Sequence, residues 1–194
     1  MSEPLETIKF SAEEAGRIVR QSYGAIVPQG MGVAKSLYDP DEIAWLPVSV
    51  TMYALGLGNP IRYANLQPGE TVLDVGCGAG IDTFIAARKV GPTSRVIGLD
   101  MTPEMLERAR ANQKILGLTN VEFRAGKMEQ IPLEDTSVDV IISNGVINLS
   151  AEKGQTFREL YRVLKPGGRL VFSDSVVNGQ LPRSVLDSEA AFAG

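Results

Sequence analysis

The chain has no histidine. That removes the commonest general base near neutral pH and the commonest metal ligand. Any proton transfer then falls to a carboxylate, a tyrosine, a lysine or water. There is one cysteine, Cys77, which excludes an internal disulfide and a multi-cysteine zinc site, and no metal centre is expected. No apolar run approaches the roughly 20 residues that a membrane span needs. Met1-Ser2-Glu3-Pro4 has no basic n-region and no signal core. No basic stripe interleaved with aromatics appears and the net charge is −4, so no nucleic-acid partner is expected. Internal repeats and low-complexity tracts are absent as well. These absences describe a cytoplasmic protein.

What is present is a chain of 194 residues with ordinary apolar and charged fractions, long enough for one domain with a sizeable core. Ser11-Ala12-Glu13-Glu14 reads as a capping box that opens a helix ending near Tyr23-Gly24. Residues 25–50 carry Pro28, Gly30, Gly32, Pro40 and Pro47. They read as loop with a short helical piece around Asp41 to Trp45, either a lid over a ligand or an extension that covers apolar surface. From Thr71 onward strands and helices alternate. Strands are expected over 71–75, 95–99, 121–124, 138–143 and 169–173, with helices over 81–90, from Thr102 to Leu116, and over 151–164. Val138 to Ser143 is a near-continuous apolar run, as a central parallel strand should be. The pattern implies an α/β doubly wound parallel sheet of about five strands with right-handed crossovers. The organisation expected is an N-terminal helix and lid-like extension over 1–50, a core over 51–178 and a tail over 179–194.

The most informative stretch is Val72-Leu73-Asp74-Val75-Gly76-Cys77-Gly78-Ala79-Gly80, followed by Val96-Ile97-Gly98-Leu99-Asp100. An apolar run opens into a glycine loop, and a second apolar run about 20 residues on ends in a carboxylate, the layout of a nucleotide site between two adjacent strands. Gly76, Gly78 and Gly80 let the main chain turn sharply and approach a ligand where a Cβ would clash. Asp100, at a strand end, can accept hydrogen bonds from both ribose hydroxyls. A dinucleotide site prefers G-x-G-x-x-G; here Asp74 inside the strand is followed by Gly76, Gly78 and Gly80.

That pattern resembles motif I of the class I S-adenosylmethionine-dependent methyltransferases, and Leu164-Lys165-Pro166-Gly167-Gly168-Arg169-Leu170 resembles the turn before their fifth strand. The resemblance implies a Rossmann-like fold and S-adenosylmethionine as cofactor, with an acid near its ammonium group. Closer still is the arsenite methyltransferase family, similar in Gly56-Leu57-Gly58-Asn59-Pro60, in Leu66 to Asp74, in Ala86 to Thr93, in Asp100-Met101-Thr102-Pro103-Glu104-Met105 and in Ser143 to Ser150. The similarity covers roughly residues 15–182. It implies that the Gly76–Gly80 loop, with Asp74 and Cys77, runs under the methionine part of the cofactor and that Asp100 binds the ribose. Met101 would pack on the adenine, with Lys127 and Met128 flanking it from the other side. Asn144 would present main-chain groups to the methionine end and Asn148 would stand near the methyl. For Met101 and Met128 core packing is the competing reading.

The chain departs from that family in its thiolates. The family holds arsenic with cysteines, yet the strand-four loop position here is Gly145, the segment before Asn59-Pro60 has Leu57, and residues 25–50 have no cysteine pair. Soft trivalent arsenic wants sulfur ligands, and Cys77 reads as a small buried residue. A full class I fold adds two strands after the fifth, for which about 20 residues after Ser173 leave no sequence; Ser184 to Ala193 reads as a short helix. The expected function is a methyltransferase acting on a small-molecule acceptor other than free arsenite. The alternatives are an inactive methyltransferase fold serving as a cofactor-binding, structural or regulatory component of an assembly, and a piece of a longer enzyme. No catalytic residue is assigned. The open edge of strand five is expected to be covered by the tail or, preferably, by another chain or a second copy of this one.

Overall fold

The computed structural model describes residues 10–180 and 182–193. Met1 to Lys9, where the missing signal sequence was read, lie outside the described residues. Five parallel strands are ordered β3-β2-β1-β4-β5. They are β1 (Thr71–Val75), β2 (Arg95–Asp100), β3 (Val121–Ala125), β4 (Val138–Asn144) and β5 (Leu164–Ser173). This is the expected α/β sheet, and its direction of winding reverses between β1 and β4, where open sheets of this kind bind ligands.

The period of two in each strand builds both faces. Val72, Val140 and Ile142 pack with Phe84 and Ile85 of α5 (Ile81–Val90) and Leu106 of α6 (Pro103–Leu116). Their neighbours Leu73, Val75 and Ile141 pack on the other face with Leu160 and Val163 of α7 (Lys153–Val163). Burying each of these side chains is worth roughly 1.5–3 kcal/mol, which is why β1 sits central and its last four residues are buried.

At the N-terminal side, α1 (Ala12–Gly24) begins at the expected capping box: Glu14 N donates to Ser11 Oγ at 3.3 Å and Ser11 N to Glu14 Oε2 at 2.9 Å. Residues 25–50 are more ordered than the single short helix expected. They form α2 (Gly32–Leu37), α3 (Pro40–Ile43) and the start of α4 (Val48–Thr51). Ala34, Tyr38, Ile43, Leu46 and Val50 are buried against α5 and α6. Helices of four to six residues are too short to show a period, and burial rather than local pattern holds them.

β5 starts earlier than expected. Leu164 pairs with Val138 before the chain bulges through Pro166-Gly167-Gly168, and pairing resumes at Arg169 opposite Val140. Past Ser173 the expected single helix is two, α8 (Arg183–Leu186) and α9 (Glu189–Phe192), the second capped by Ser188 Oγ accepting from Ala191 N at 3.2 Å. Phe192 packs against Ala15, Ile18 and Val19 of α1 and against Leu149. The tail therefore covers α1, and among the described residues β5 pairs with β4 alone. No helix among them is long and apolar enough to cross a membrane.

Candidate cofactor site

A cleft opens at the C-terminal ends of β1, β2 and β4, floored by the glycine loop and roofed by Ala12, Ala15, Gly16 and Val19 of α1. The loop is tied to the neighbouring strand: the amides of Gly76 and Cys77 donate to Leu99 O at 2.8 and 3.0 Å. Gly76 has φ +75° and a Cβ there would collide with the Val146 side chain. Gly78, at φ +52°, differs: a Cβ on it would meet nothing within 4 Å, because it borders the open cleft. Gly80 lies outside the cleft lining. The ring of Phe84 fills the place of its Cβ at 2.7 Å, so this third glycine serves helix packing.

Asp100 stands across from the loop. Its Oδ2 accepts from Gly78 N at 2.9 Å and its Oδ1 from Thr102 N at 2.8 Å. Burial pushes this carboxyl above its ordinary range, and the amides of Thr102 and Gly78 pull it back. The Thr102 hydroxyl and the Met101 amide also act on this carboxylate, so a ribose hydroxyl would share it with the loop.

Four further carboxylates line the cleft, Glu129 and Glu152 near its rim and Asp74 and Asp82 deeper in the fold. Asp74 is buried in β1, where Thr83 Oγ1 donates to its Oδ2 at 2.6 Å. Burial, and next the charge of Asp82, push its carboxyl well up. Asp82, in the first turn of α5, is 4% exposed. Burial pushes it up to about 6, against the pull of hydrogen bonds from Asn144 and Tyr38. Sequence reading passed over Asp82. Its position two residues past Gly80, on the turn that carries the loop into the helix, is the one local signal that could have found it.

The other expected residues divide. Met101, Lys127 and Met128 line the cleft. A Cβ on Gly16 would stand 3.4 Å from Lys127 Nζ and 3.6 Å from Met101 Cε, so α1 lies directly on this side of the cleft. Met101 and Met128 also pack against the hydrophobic clusters beside them. Cys77 lines the floor but is 6% exposed, and burial pushes its thiol well up, which disfavours the thiolate form. Asn144 lines the cleft at the end of β4. Asn148 stands outside the lining; its Oδ1 is a buried oxygen with no hydrogen-bond partner among the described residues.

These residues fit S-adenosylmethionine: a glycine whose missing side chain leaves open space, an acid that borders the cleft at the end of β2, and acidic walls suited to a ligand with ammonium and sulfonium charge. When bound, the cofactor supplies an activated methyl group. Gly78 would leave room for it, Asp100 would offer an acid to its hydroxyls, and α1 with the Met101 and Met128 side chains would cover it.

A parallel sheet in this order, with a glycine loop facing an acid at the end of the next strand, defines a class I S-adenosylmethionine-dependent methyltransferase fold. A model of the methyltransferase domain matches residues 66–193, and the chain belongs to that family. An arsenite methyltransferase of Halobacterium salinarum is 49% identical over 148 residues, covering 76% of this chain and 38% of that protein. An arsenic(III) S-adenosylmethionine methyltransferase from Chlamydomonas reinhardtii superposes with a TM-score of 0.68 at 42% identity, over 75% of this chain and 51% of that one. A methyltransferase from Aquifex aeolicus, described as S-adenosylmethionine-dependent, matches at a TM-score of 0.60 and 26% identity, over 91% of this chain and 80% of that one. The chain thus spans about half or less of the arsenic methyltransferases it matches.

Proposed function

We propose that this chain binds S-adenosylmethionine in the β1-β2-β4 cleft and transfers its methyl group to a small neutral or cationic acceptor. The observation that carries the reading is the pairing of Gly78, open to the cleft, with Asp100 directly across from it. Asp74, Gly76, Cys77, Asp100, Met101, Lys127, Met128 and Asn144 would contact the cofactor. Gly80 and Asn148 would support from behind, Gly80 through Phe84 and Asn148 through the loop after β4. Residues 1–50 act as the covering extension, 51–178 as the cofactor-binding core and 179–194 as the tail that braces α1.

The acceptor is not free arsenite. Leu57 and Gly145 stand side by side, with a Cβ on Gly145 only 3.3 Å from Leu57 Cγ, and neither offers sulfur. The acidic walls disfavour an anionic acceptor. With one buried thiol, the chain suits the reducing cytoplasm. A second copy, or another chain, is the occupant we assign to the free edge of β5, where Phe172 and Val176 are 44% and 89% exposed. Calorimetry with S-adenosylmethionine and S-adenosylhomocysteine, followed by a screen for homocysteine-linked turnover over thiol, amine and hydroxyl acceptors, tests the reading. Binding without turnover on any acceptor would favour a non-catalytic component of an assembly, and absence of binding overturns both.

A further inference from the structure

One side-chain network joins the floor of the cleft to the wall beside it. Asp82 Oδ1 accepts from Tyr38 OH at 2.9 Å and Asp82 Oδ2 from Asn144 Nδ2 at 3.0 Å. The same Nδ2 stands 3.1 Å from Tyr38 OH and 2.8 Å from Gly58 O. Asn144 Oδ1 in turn accepts from Leu57 N at 2.8 Å and Gly58 N at 3.1 Å. One amide therefore touches three separate pieces of chain. The fit is close: a Cβ on Gly56 would collide with the Asn144 amide, and one on Gly58 with Ser173. Leu55 and Gly56 of this segment line the cleft.

We propose that Asp82 is a positioning residue: through Asn144 it latches the Leu55–Gly58 wall against the cofactor cleft. This rests on the reading of the cleft given above. A carboxylate accepting from an amide N–H polarises that amide and strengthens what its oxygen accepts. Asp82 thus sets how firmly Asn144 holds the Leu57 and Gly58 amides. Because Asp82 also borders the cleft, ligand binding there and wall docking are coupled, and each favours the other.

Amide hydrogen exchange on the full chain tests the latch, since exchange reports local opening residue by residue. Asp82→Asn should speed exchange at Leu57 and Gly58 more than tenfold while Val72 to Val75 change less than threefold. S-adenosylhomocysteine should slow exchange at those two amides in the unaltered chain and have no such effect in Asp82→Asn. Unchanged exchange at Leu57 and Gly58 overturns the proposal. If Asp82→Asn loses protection throughout β1, Tyr38→Phe decides instead: at least threefold faster exchange confined to Leu57 and Gly58 supports the latch, and no change overturns it. Failure of S-adenosylhomocysteine to bind the unaltered chain overturns the proposed function, and the comparison of ligand-free chains still decides the latch.

Discussion

The Gly78 amide donates to Asp100 Oδ2 at 2.9 Å across 22 residues of sequence. The glycine loop and the distant acid are thereby one unit. The acid holds the loop in its left-handed turn, and the loop keeps the acid at the cleft. Changing either disturbs both.

Asp100→Ala should weaken S-adenosylmethionine binding by about 2 kcal/mol, the scale of charge-assisted hydrogen bonds lost from a partly buried site. Asp100→Asn retains an acceptor for the Gly78 amide and should lose less. Titration calorimetry measures both. Equal affinity in all three chains would remove Asp100 from the site.

Gly76→Ala should destabilise the fold by about 2 kcal/mol or more. An L-residue pays roughly 1–2 kcal/mol in the left-handed region, and here the added methyl also meets Val146. Gly78→Ala carries the strain without the collision, so it should unfold closer to the unaltered chain yet bind cofactor worse. Urea midpoints, set beside calorimetry, separate the two effects.

The buried acids set a pH dependence. Asp82 is raised from an ordinary 3.8 to about 6 in the fold, so the folded state binds the proton more tightly than the unfolded chain. Its contribution to stability is therefore greatest below about 4 and is lost as pH rises through about 6. Tyr38, Asp74, Glu42 and Asn144 face it, and Asp74, raised as well, adds in the same direction. The half-buried, ion-paired carboxylates Glu42, Glu70, Asp139 and Glu159 are lowered, so the stability they contribute is lost only at more acid pH. Urea unfolding should show stability rising from pH 7 to pH 5, with a flatter profile in Asp82→Asn. An identical slope in both chains contradicts this origin.

Trivalent arsenic should not bind with micromolar affinity in thiol-free buffer. Cys77 is the only cysteine of the chain, and burial pushes its thiol well up, which disfavours the thiolate that arsenic needs. Fluorescence of the single tryptophan, Trp45, would serve as readout, with equilibrium dialysis against arsenite as the direct count.

The outer edge of β5 should be covered in solution. Phe172 is 44% exposed, the ring of Phe157 stands 6.2 Å from it, and Val176 and Val177 follow at 89% and 62% exposure. Unpaired strand edges with apolar side chains associate. Light scattering should show a concentration-dependent assembly that Phe172→Lys disperses. A monomer at high concentration with fast-exchanging β5 amides would mean that the edge stays bare.

The sheet was legible because its signals are local and repeated. Val72 to Val75 and Val138 to Ser143 are apolar on both faces, which only a strand covered by helices on two sides requires. The capping box at Ser11 and the glycines after Val75 depend on a few adjacent residues, as did the choice of Asp100 at a strand end. Of the short helices over 32–51 only the piece near Asp41 was legible; the others were not, since Ala34, Tyr38 and Val50 are ordered by what lies above α5 and α6 rather than by their neighbours in sequence. Nor was the division among the three motif glycines. Gly78 faces the cleft, whereas Gly80 gives way to Phe84, a distinction made by a ring four residues further along α5. Asp82 and Asn144 lie 62 residues apart and Tyr38 another 44 before Asp82. Their meeting is a product of β4 lying beside β1 and of the N-terminal segment folding over α5, and hydrogen bonds between such distant positions leave no spacing for a reader of the sequence to find.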